Sequence, residues 1–287
     1  MMRVSKKILL ISLMLSILTP LSSIAQTQIS LAVTPLKHVF SIEPGQSQQG
    51  EIFLKNNSTV ALKVVPRVVA FRTIDDQGTL EIIEGDFTDY VSLPVSVFEL
   101  IPGERRQINF NVFAPANESG GRYFAILFAA DTVDQTAGAS FSGEVGSLVF
   151  MEILGDIWHQ TEIKDVRSKK IYWSQPELSI TLENKGNTHS APFGEIKFFN
   201  LFGQKKETVT AFWPQILPGG ERQLHISPRG NFFGYYKAQI GLVDSEWNYL
   251  TEEIDFWVLP KIYIFEILIL LAAAIFTAAF IKKKSHA

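Results

Sequence analysis

The sequence has 287 residues, a formal net charge of −3 at pH 7 and no cysteine. The lack of cysteine excludes disulfide bonds, thiol catalysis and cysteine-based metal sites, while the length leaves room for two domains of ordinary size. Residues 26–260 carry 19 Lys and Arg against 28 Asp and Glu. This acidic balance argues against nucleic acid and anionic lipid as ligands.

The N-terminal residues have the pattern of a secretory signal peptide. Basic residues precede the apolar stretch 8–18, and Ser23 and Ala25 are small residues at the −3 and −1 positions of a cleavage site. We therefore expect a signal peptide over residues 1–25 and export of the chain that follows it.

Short apolar runs separated by turn residues follow from residue 26 to residue 157. In 107–112, polar and apolar residues alternate, which places the apolar side chains on one face of a strand. Strands of this length with turn residues between them are typical of a β-sandwich, and no amphipathic helical pattern interrupts them. We therefore assign a first sandwich to 26–157. Its predicted strands are 28–33, 50–54, 62–71, 107–113, 122–129 and 144–154.

Residues 158–260 repeat this plan and form the predicted second sandwich. Self-similarity at about 115 residues is typical of tandem domains rather than of a solenoid. The predicted fold class is therefore all-β, with two tandem immunoglobulin-like β-sandwiches followed by one transmembrane helix. Three segments recur in the same order: 50–56 as 178–184, 101–107 as 217–223, and 121–125 as 234–238.

The turn and strand-end residues of both halves carry a family resemblance. They are Val33-Thr34-Pro35, Pro44-Gly45, Lys55-Asn56-Asn57-Ser58, Pro102-Gly103-Glu104 and Gly120-Gly121-Arg122-Tyr123, then Glu183-Asn184-Lys185-Gly186-Asn187 and Gly194-Glu195-Ile196-Lys197-Phe198-Phe199-Asn200. With them the chain resembles the Gram-positive WxL-protein-interacting family and, more distantly, pilus-chaperone-like and fibronectin-type sandwiches. The resemblance implies a peptidoglycan-binding first domain, a second domain that binds a host protein, and a C-terminal membrane anchor. It implies no binding residue, because the matched positions mark the fold.

Residues 261–281 are the predicted transmembrane helix, and 282–287 are a basic cytoplasmic tail. The apolar span begins at Ile262 and ends at Ile281, and about twenty residues is what an α-helix needs to cross a bilayer. Three lysines follow the span at once and indicate a cytoplasmic C-terminus. Together with the signal peptide, this predicts a single-pass type I protein of the cell membrane with an extracytoplasmic ectodomain.

Glu266 is the only charged residue inside the predicted span. A carboxyl group in hydrocarbon is costly, and such residues are often functional. Glu266 lies near the outer end of the span, so two interpretations are open. It is either a group at the membrane interface or a contact with a partner helix.

The sequence shows no catalytic or cofactor motif. The five histidines do not stand at metal-ligand spacing, and the chain has no nucleophile elbow, phosphate loop or dinucleotide-binding glycine pattern. We therefore predict a protein without enzymatic activity, cofactor or metal.

Aromatic residues crowd the second half of the chain. Two interpretations are open: the packing of a sandwich core, and an exposed platform for protein or glycan. The residues are Trp213, Phe232, Phe233, Tyr235, Tyr236, Trp247, Tyr249 and Trp257.

An acidic stretch distinguishes the first half from the second. A distance of 45 residues separates Asn57 from Pro102, against 33 from Lys185 to Pro218, and the extra length falls near 74–90. Acidic residues there would steer a basic partner, and the alternatives are a solvated hairpin and a calcium site. The candidate partner-binding residues are Asp75, Asp76, Glu84 and Asp86.

The function predicted from the sequence is that of a non-catalytic, membrane-anchored cell-surface protein. Its sandwiches would bind cell-wall polymer (peptidoglycan), another surface protein, or both, and no nucleic acid. The alternative is an accessory ectodomain subunit of a membrane complex that assembles through the transmembrane helix.

Overall fold

The computed structural model describes residues 30–132, 143–261, 266 and 268–277. All of its strands lie between residues 31 and 258, and helical residues follow Pro260. The signal peptide expected at 1–25 and the basic tail expected at 282–287 lie outside the described residues.

The first sandwich consists of two sheets. One has the strand order β1–β3–β8–β6, and the other has the order β2–β10–β9–β4–β5, with β7 also paired to β4. All pairs are antiparallel except β2 with β10. The strands are β1 (Leu31–Thr34), β2 (Lys37–Ile42), β3 (Ser47–Asn56), β4 (Leu62–Thr73), β5 (Leu80–Ile83), β6 (Val91–Ser92), β7 (Phe98–Leu100), β8 (Arg105–Phe113), β9 (Gly120–Thr132) and β10 (Gly143–Ile153).

The second sandwich has sheets of unequal size. Its smaller sheet has the order β11–β13–β16, and its larger sheet has the order β12–β18–β17–β14–β15. The strands are β11 (Thr161–Arg167), β12 (Ile171–Tyr172), β13 (Leu178–Asn184), β14 (Phe193–Asn200), β15 (Lys205–Phe212), β16 (Glu221–Ile226), β17 (Gly234–Val243) and β18 (Tyr249–Val258). The prediction of two β-sandwiches is thus confirmed.

Each sandwich has its own apolar core between its sheets. The alternation predicted for 107–112 is found in β8, where Ile108, Phe110 and Val112 are buried and their neighbours are more exposed. Phe110 lies in the first core, whereas Phe198 and Phe256 lie in a separate core in the second sandwich. Two separate cores make two domains in the physical sense of the term.

The two sandwiches share one topology. Strands β1 to β5 and β8 to β10 of the first correspond in order to β11 to β18 of the second. The three sequence repeats fall on equivalent places: β3 and β13, the turns before β8 and β16, and the starts of β9 and β17. The sequence repeat is therefore a structural repeat.

A buried asparagine ends β3 and another ends β13, and both make the same contacts. Asn184 Nδ2 donates to the carbonyls of Thr188 (2.7 Å) and Ile216 (2.8 Å), and its Oδ1 accepts from the Gly186 N–H (2.9 Å). The side chain thereby joins the turn after the strand to the segment that precedes β16. The equivalent bonds of Asn56 are to Val60 (2.8 Å), Leu100 (2.9 Å) and Ser58 (2.8 Å).

The extra length of the first sandwich contains β6 and β7, which have no counterpart in the second. β6 pairs with β8 at the edge of one sheet, and β7 pairs with β4 in the other. Both strands follow residues 74–90, where the sequence analysis placed the extra length, and within 74–90 only β5 belongs to a sheet.

The second sandwich covers the outward face of the first sandwich's larger sheet. Val69, Phe71, Ala125 and Phe150 on that face form a buried cluster with Leu217 from the turn before β16. Strands β4, β9 and β10 are consequently apolar on both faces, one against their own core and one against the neighbouring domain.

Polar contacts surround this cluster. The Gly121 N–H donates to the Asn187 carbonyl (2.8 Å), and Thr188 Oγ1 donates to Glu152 Oε2 (2.8 Å). His189 lies edge-on to Phe150, with ring centroids 5.5 Å apart, and its burial lowers its pKa. The two sandwiches are thus docked through apolar packing and hydrogen bonds together.

The C-terminal described residues are helical at 261, 266 and 268–277. Large apolar side chains at 268–271, 275 and 276 are exposed. No helix among the described residues is long and apolar enough to cross a membrane. Residues 262–265, 267 and 278–281 of the expected span lie outside them.

Candidate binding site

The acidic segment of the first sandwich is a hairpin followed by a loop. Asp75 and Asp76 lie in the turn between β4 and β5, whereas Glu84 and Asp86 follow the far end of β5. The four residues of β5 separate these pairs by about 13 Å. The four candidates therefore lie at two places, and their role in partner binding stays a prediction.

The turn between β4 and β5 contacts the second sandwich. The Asp76 carbonyl accepts a hydrogen bond from the Gln223 N–H of β16 (2.8 Å). Gly78 has φ +81°, and a Cβ there would overlap the guanidinium of Arg222. Asp75 Oδ1 accepts from the Thr79 N–H (2.8 Å), and hydrogen bonding to Thr79 lowers the pKa of Asp75. The basic group that this acidic turn meets is thus Arg222 of the same chain.

Glu84 and Asp86 have local partners. Glu84 forms an ion pair with Arg67, which also binds Glu144 (2.9 Å). Asp86 Oδ1 accepts from the hydroxyl of Thr88 (2.8 Å), and hydrogen bonding to Thr88 lowers the pKa of Asp86. These contacts order the loop that leads to β6.

The aromatic residues of the second sandwich divide between core and surface, and the binding of protein or glycan by the exposed ones stays a prediction. Trp213, Phe232 and Tyr236 are buried in the core. The exposed residues are Phe233, Trp247, Tyr249 and Trp257, and Tyr235 is half-buried.

Trp247 and Tyr249, together with the exposed Phe193 and Phe212, form a row across the outward face of the larger sheet. Tyr249 of β18 pairs with Val243 of β17, Val243 with Phe193 of β14, and Phe193 with Phe212 of β15. At about 4.8 Å between strands, these positions span about 14 Å. Phe193 stacks on Phe212 at a centroid distance of 6.3 Å and meets Trp247 edge-on at 6.0 Å. We call Phe193, Phe212, Trp247 and Tyr249 the aromatic row.

The turn between β17 and β18 holds Trp247 at the surface. Trp247 has φ +67°, a left-handed conformation that costs a tryptophan about 1–2 kcal/mol. The buried carboxylate of Asp244 accepts hydrogen bonds from the N–H groups of Glu246 and Asn248, both at 2.9 Å. This network fixes the turn, and Trp247 remains 70% exposed.

Two polar rows lie beside the aromatic row on the same face. Gly241 lies between Thr251 and Glu195, and this gap in the side chains contributes to a depression of about 480 Å³ with Tyr249 at its edge. We call the aromatic row and the two polar rows together the outer face. By register the polar rows are Thr251, Gly241, Glu195 and Thr210, then Glu253, Gln239, Lys197 and Thr208.

The polar rows carry paired charges of both signs. Glu253 accepts from Gln239 Nε2 (2.7 Å) and from Lys237 Nζ (2.9 Å), and the hydrogen bond from Lys237 lowers the pKa of Glu253. Glu195 and Lys197 form a second ion pair at 3.2 Å. Both pairs are solvent-exposed, so their groups can exchange partners with a ligand at little cost.

The outer face combines exposed aromatic rings with hydrogen-bonding side chains. Exposed aromatic rings pack against apolar ligand faces, while the amide, carboxylate and ammonium groups exchange hydrogen bonds with hydroxyls. No cluster of three or more metal-ligating side chains occurs in the part of the chain that the structure describes. A ligand with an apolar ring face and a hydroxylated edge matches this surface.

Sequence reasoning identified only part of this face. Trp247 and Tyr249 were among the aromatics with two open interpretations, but Phe193 and Phe212 were not. Their signal was the alternation in β14 and β15. Ile196, Phe198 and Ala211 point inward, so Phe193 and Phe212, which lie an odd number of residues away, point outward. That alternation assigns Phe193 and Phe212 to one face but not to one row, because the row depends on strand register.

Glu266 is helical and exposed. Its neighbours at 262–265 and 267 lie outside the described residues, so a contact with a partner helix stays a prediction.

Comparison with known proteins gives matches of structure only. No protein-family model matches the sequence, and no curated protein matches it. The resemblance to the WxL-protein-interacting family therefore stays a prediction.

Among solved structures, the chain is similar to two-domain pilus chaperones. The class 5 fimbriae chaperone CfaA is 14% identical with a TM-score of 0.43, over 73% of this chain and 91% of that one. The CsuC–CsuE chaperone–tip adhesion subunit complex of Acinetobacter baumannii is 12% identical with a TM-score of 0.40, over 80% of this chain and 99% of that one. The E. coli chaperone DraB is 12% identical with a TM-score of 0.37, over 80% of this chain and 97% of that one. The similarity is one of fold, and what those chaperones bind is not carried over to this chain.

Proposed function

We propose that this protein is a non-catalytic, membrane-anchored surface protein that binds cell-wall glycan through the outer face of its second sandwich. The observation that carries the proposal is the aromatic row of Phe193, Phe212, Trp247 and Tyr249 beside two rows of hydrogen-bonding side chains. A sheet face without a ligand has no need of a row of exposed rings about 14 Å long, because isolated exposed apolar residues are the ordinary case.

The chemistry of a polysaccharide fits this arrangement. A sugar ring presents an apolar C–H face on one side and hydroxyl groups around its edge. Tyr249 is 82% exposed and Phe212 is 69% exposed, so the rings at both ends of the row are accessible to successive sugar units. Gln239, Glu195 and Thr251 lie beside them as acceptors and donors for the hydroxyls.

The anchor proposal rests on the C-terminal apolar segment. The exposed large apolar side chains at 268–271, 275 and 276 would be covered by hydrocarbon in a bilayer. Anchored by the helix, the second sandwich would stand next to the membrane with the first sandwich docked against it. The outer face would then meet wall polymer close to the cell surface.

Co-sedimentation with insoluble peptidoglycan tests the proposal. The detergent-solubilised full chain is mixed with purified Gram-positive sacculi, and the bound fraction is measured against polymer concentration. Replacing Trp247 and Tyr249 together by Ala should weaken binding at least about tenfold, since exposed aromatic anchors dominate such interfaces. The matched control is Trp173→Ala, which removes an exposed tryptophan from the loop after β12.

Binding by the wild type, loss in the double variant and retention in the control support the proposal. Sedimentation of the double variant equal to that of the wild type would place glycan binding elsewhere. The absence of binding by the wild type would remove cell-wall glycan as the ligand.

A further inference from the structure

The second sandwich has an open side where its two sheets end. Its smaller sheet ends at β16 and its larger sheet ends at β15. The gap between these two edge strands is a groove of about 660 Å³. Val209 of β15 and Leu224 of β16 pack against the core there but are only partly buried. The groove is lined by Glu207 to Phe212 of β15, Leu224 to Ile226 of β16, and Ser227 and Arg229.

β15 is the longest strand at the end of any sheet among the described residues. The other terminal strands have from two to seven residues, and β15 has eight. An edge strand presents unpaired N–H and C=O groups that can pair with another chain, and proteins usually shorten, charge, bend or cover such edges.

The other long edges are protected in these ways. β11 has a register shift between Ile163 and Asp165 and carries charged residues. β16 is capped where the Gln223 N–H donates to the Asp76 carbonyl of the first sandwich. On β2, Gln48 Nε2 donates to the Ser41 carbonyl (2.9 Å).

β15 is protected only at its start. Its register against β14 shifts between the pairs of Phe198 and Phe199, next to Lys205 and Lys206. From Thr208 to Phe212 the strand is in regular register, carries no charge and contains no proline. This stretch has the β-propensity of a strand that accepts a partner.

Two polar atoms of β15 are buried without a hydrogen-bond partner among the described residues. They are Glu207 Oε2 and Thr208 Oγ1. Buried polar atoms are nearly always paired in folded proteins, so each such atom calls for an explanation. A strand added beside β15 would bring main-chain N–H groups and side-chain donors to this place.

We infer that the groove between β15 and β16 binds an extended, acidic segment of another protein by strand addition to β15. Main-chain hydrogen bonds to β15 would hold the segment, and its alternate apolar side chains would cover Val209 and Leu224. The acidic character follows from the rim, where Lys205, Lys206 and Arg229 are exposed. A second copy of this chain is a poorer occupant, because its β15 would bring the same two lysines to the site.

This site adjoins the glycan surface of the proposed function, because Thr208, Thr210 and Phe212 of β15 belong to the outer face and also line the groove, but the two sites use different groups. The outer face uses side chains that point away from the sandwich, whereas strand addition uses the main chain of its edge. Continuity with an existing contact supports the mode of binding, since the turn that contains Asp76 already adds a main-chain hydrogen bond to the edge of β16 on the other border of the same groove.

The test uses the detergent-solubilised full chain and a synthetic peptide, acetyl-EEVTVTVEE-amide, with a fluorescent label. Fluorescence anisotropy measures its affinity, and hydrogen exchange maps its position. We expect saturable binding with protection of 207–212 and none of 249–258. The neutral peptide QQVTVTVQQ should bind at least about fivefold more weakly at low salt, and the difference should shrink as salt rises.

Two N-methylated peptides test the main-chain geometry. In a strand, alternate N–H groups point to opposite edges. Methylation of the three valines and methylation of the two threonines should therefore differ, with one abolishing binding and the other leaving it within about threefold. Equal effects of the two would contradict strand addition.

The last part of the test reverses the charge at the rim of the groove. The variant Lys205→Glu with Lys206→Glu should lose at least about tenfold in peptide affinity, whereas Lys169→Glu with Lys170→Glu, an exposed lysine pair between β11 and β12, should not. Sedimentation with sacculi should be unchanged in both variants, which separates this site from the proposed function. Failure of the acidic peptide to bind, or equal affinity in both variants, would overturn the inference.

Discussion

At the scale of single residues, Asn56 and Asn184 connect parts of the chain that are far apart in sequence. Each asparagine side chain makes hydrogen bonds to two carbonyls and one N–H of the main chain. Both are fully buried. The sequence contained the signal, since an Asn at a strand end precedes a Pro-Gly turn in both halves. The sequence did not show that the side chain bonds across the loop to the segment before that turn, because those bonds depend on how the loop folds.

Replacement of Asn184 by Ala should destabilise the second sandwich by about 2–5 kcal/mol, because the Gly186 N–H and the Thr188 carbonyl lose this partner and the Ile216 carbonyl keeps only the Ser190 N–H. All five tryptophans lie between residues 158 and 257, so tryptophan fluorescence during urea unfolding reports on that sandwich. The control Asn109→Ala changes an exposed asparagine of β8 and should shift stability by less than about 0.5 kcal/mol. A change of the same small size in Asn184→Ala would show that the network does not stabilise the fold.

At the scale of elements, the turn between β4 and β5 is a docking element for the second sandwich. Its main chain binds β16 through Asp76 and Gln223, and Gly78 leaves the space that the Arg222 guanidinium occupies. The sequence left three interpretations open for this segment: a contact with a basic partner, a solvated hairpin and a calcium site. It could not predict that the contact lies within the chain, because no local pattern reports which distant strand a turn will meet.

The variant Gly78→Ala should lower the hydrogen-exchange protection of residues 221–226 about tenfold. The added Cβ displaces Arg222 and also strains the backbone at φ +81°. The matched control is Gly103→Ala, which has φ +77° but nothing within 4 Å of the added Cβ, so it imposes the backbone strain without the contact. If both variants reduced protection equally, the contact between Gly78 and Arg222 would not hold the domains together.

The pattern of polar and apolar residues along a strand predicts how many of its faces are buried, but not what covers them. Alternation in β8 identified a strand with one buried face, and the structure confirms it. In β9, apolar residues run without alternation from Tyr123 to Ala130, because Phe124 and Ile126 face the core while Tyr123 and Ala125 face the second sandwich. A run of this kind signals burial on both faces, but it does not say what covers the second face.

At the scale of the whole molecule, the tandem arrangement was accessible from sequence because the two copies kept the same turn residues. The domain contact and the outer face were not accessible in the same way, because each depends on side chains brought together by register and docking. Leu217, for example, belongs to a turn motif in the sequence and to the buried domain contact in the structure. Phe193 and Phe212 likewise become neighbours only through the pairing of β14 with β15.

We propose above that the outer face of the second sandwich binds cell-wall glycan. The most direct measurement is hydrogen-exchange footprinting of the full chain in detergent, with and without soluble glycan strands from peptidoglycan. We expect added protection in β14, β17, β18 and the turn that holds Trp247, with none in the first sandwich. Protection confined to residues 30–132 and 143–153, with β14, β17 and β18 unchanged, would contradict it.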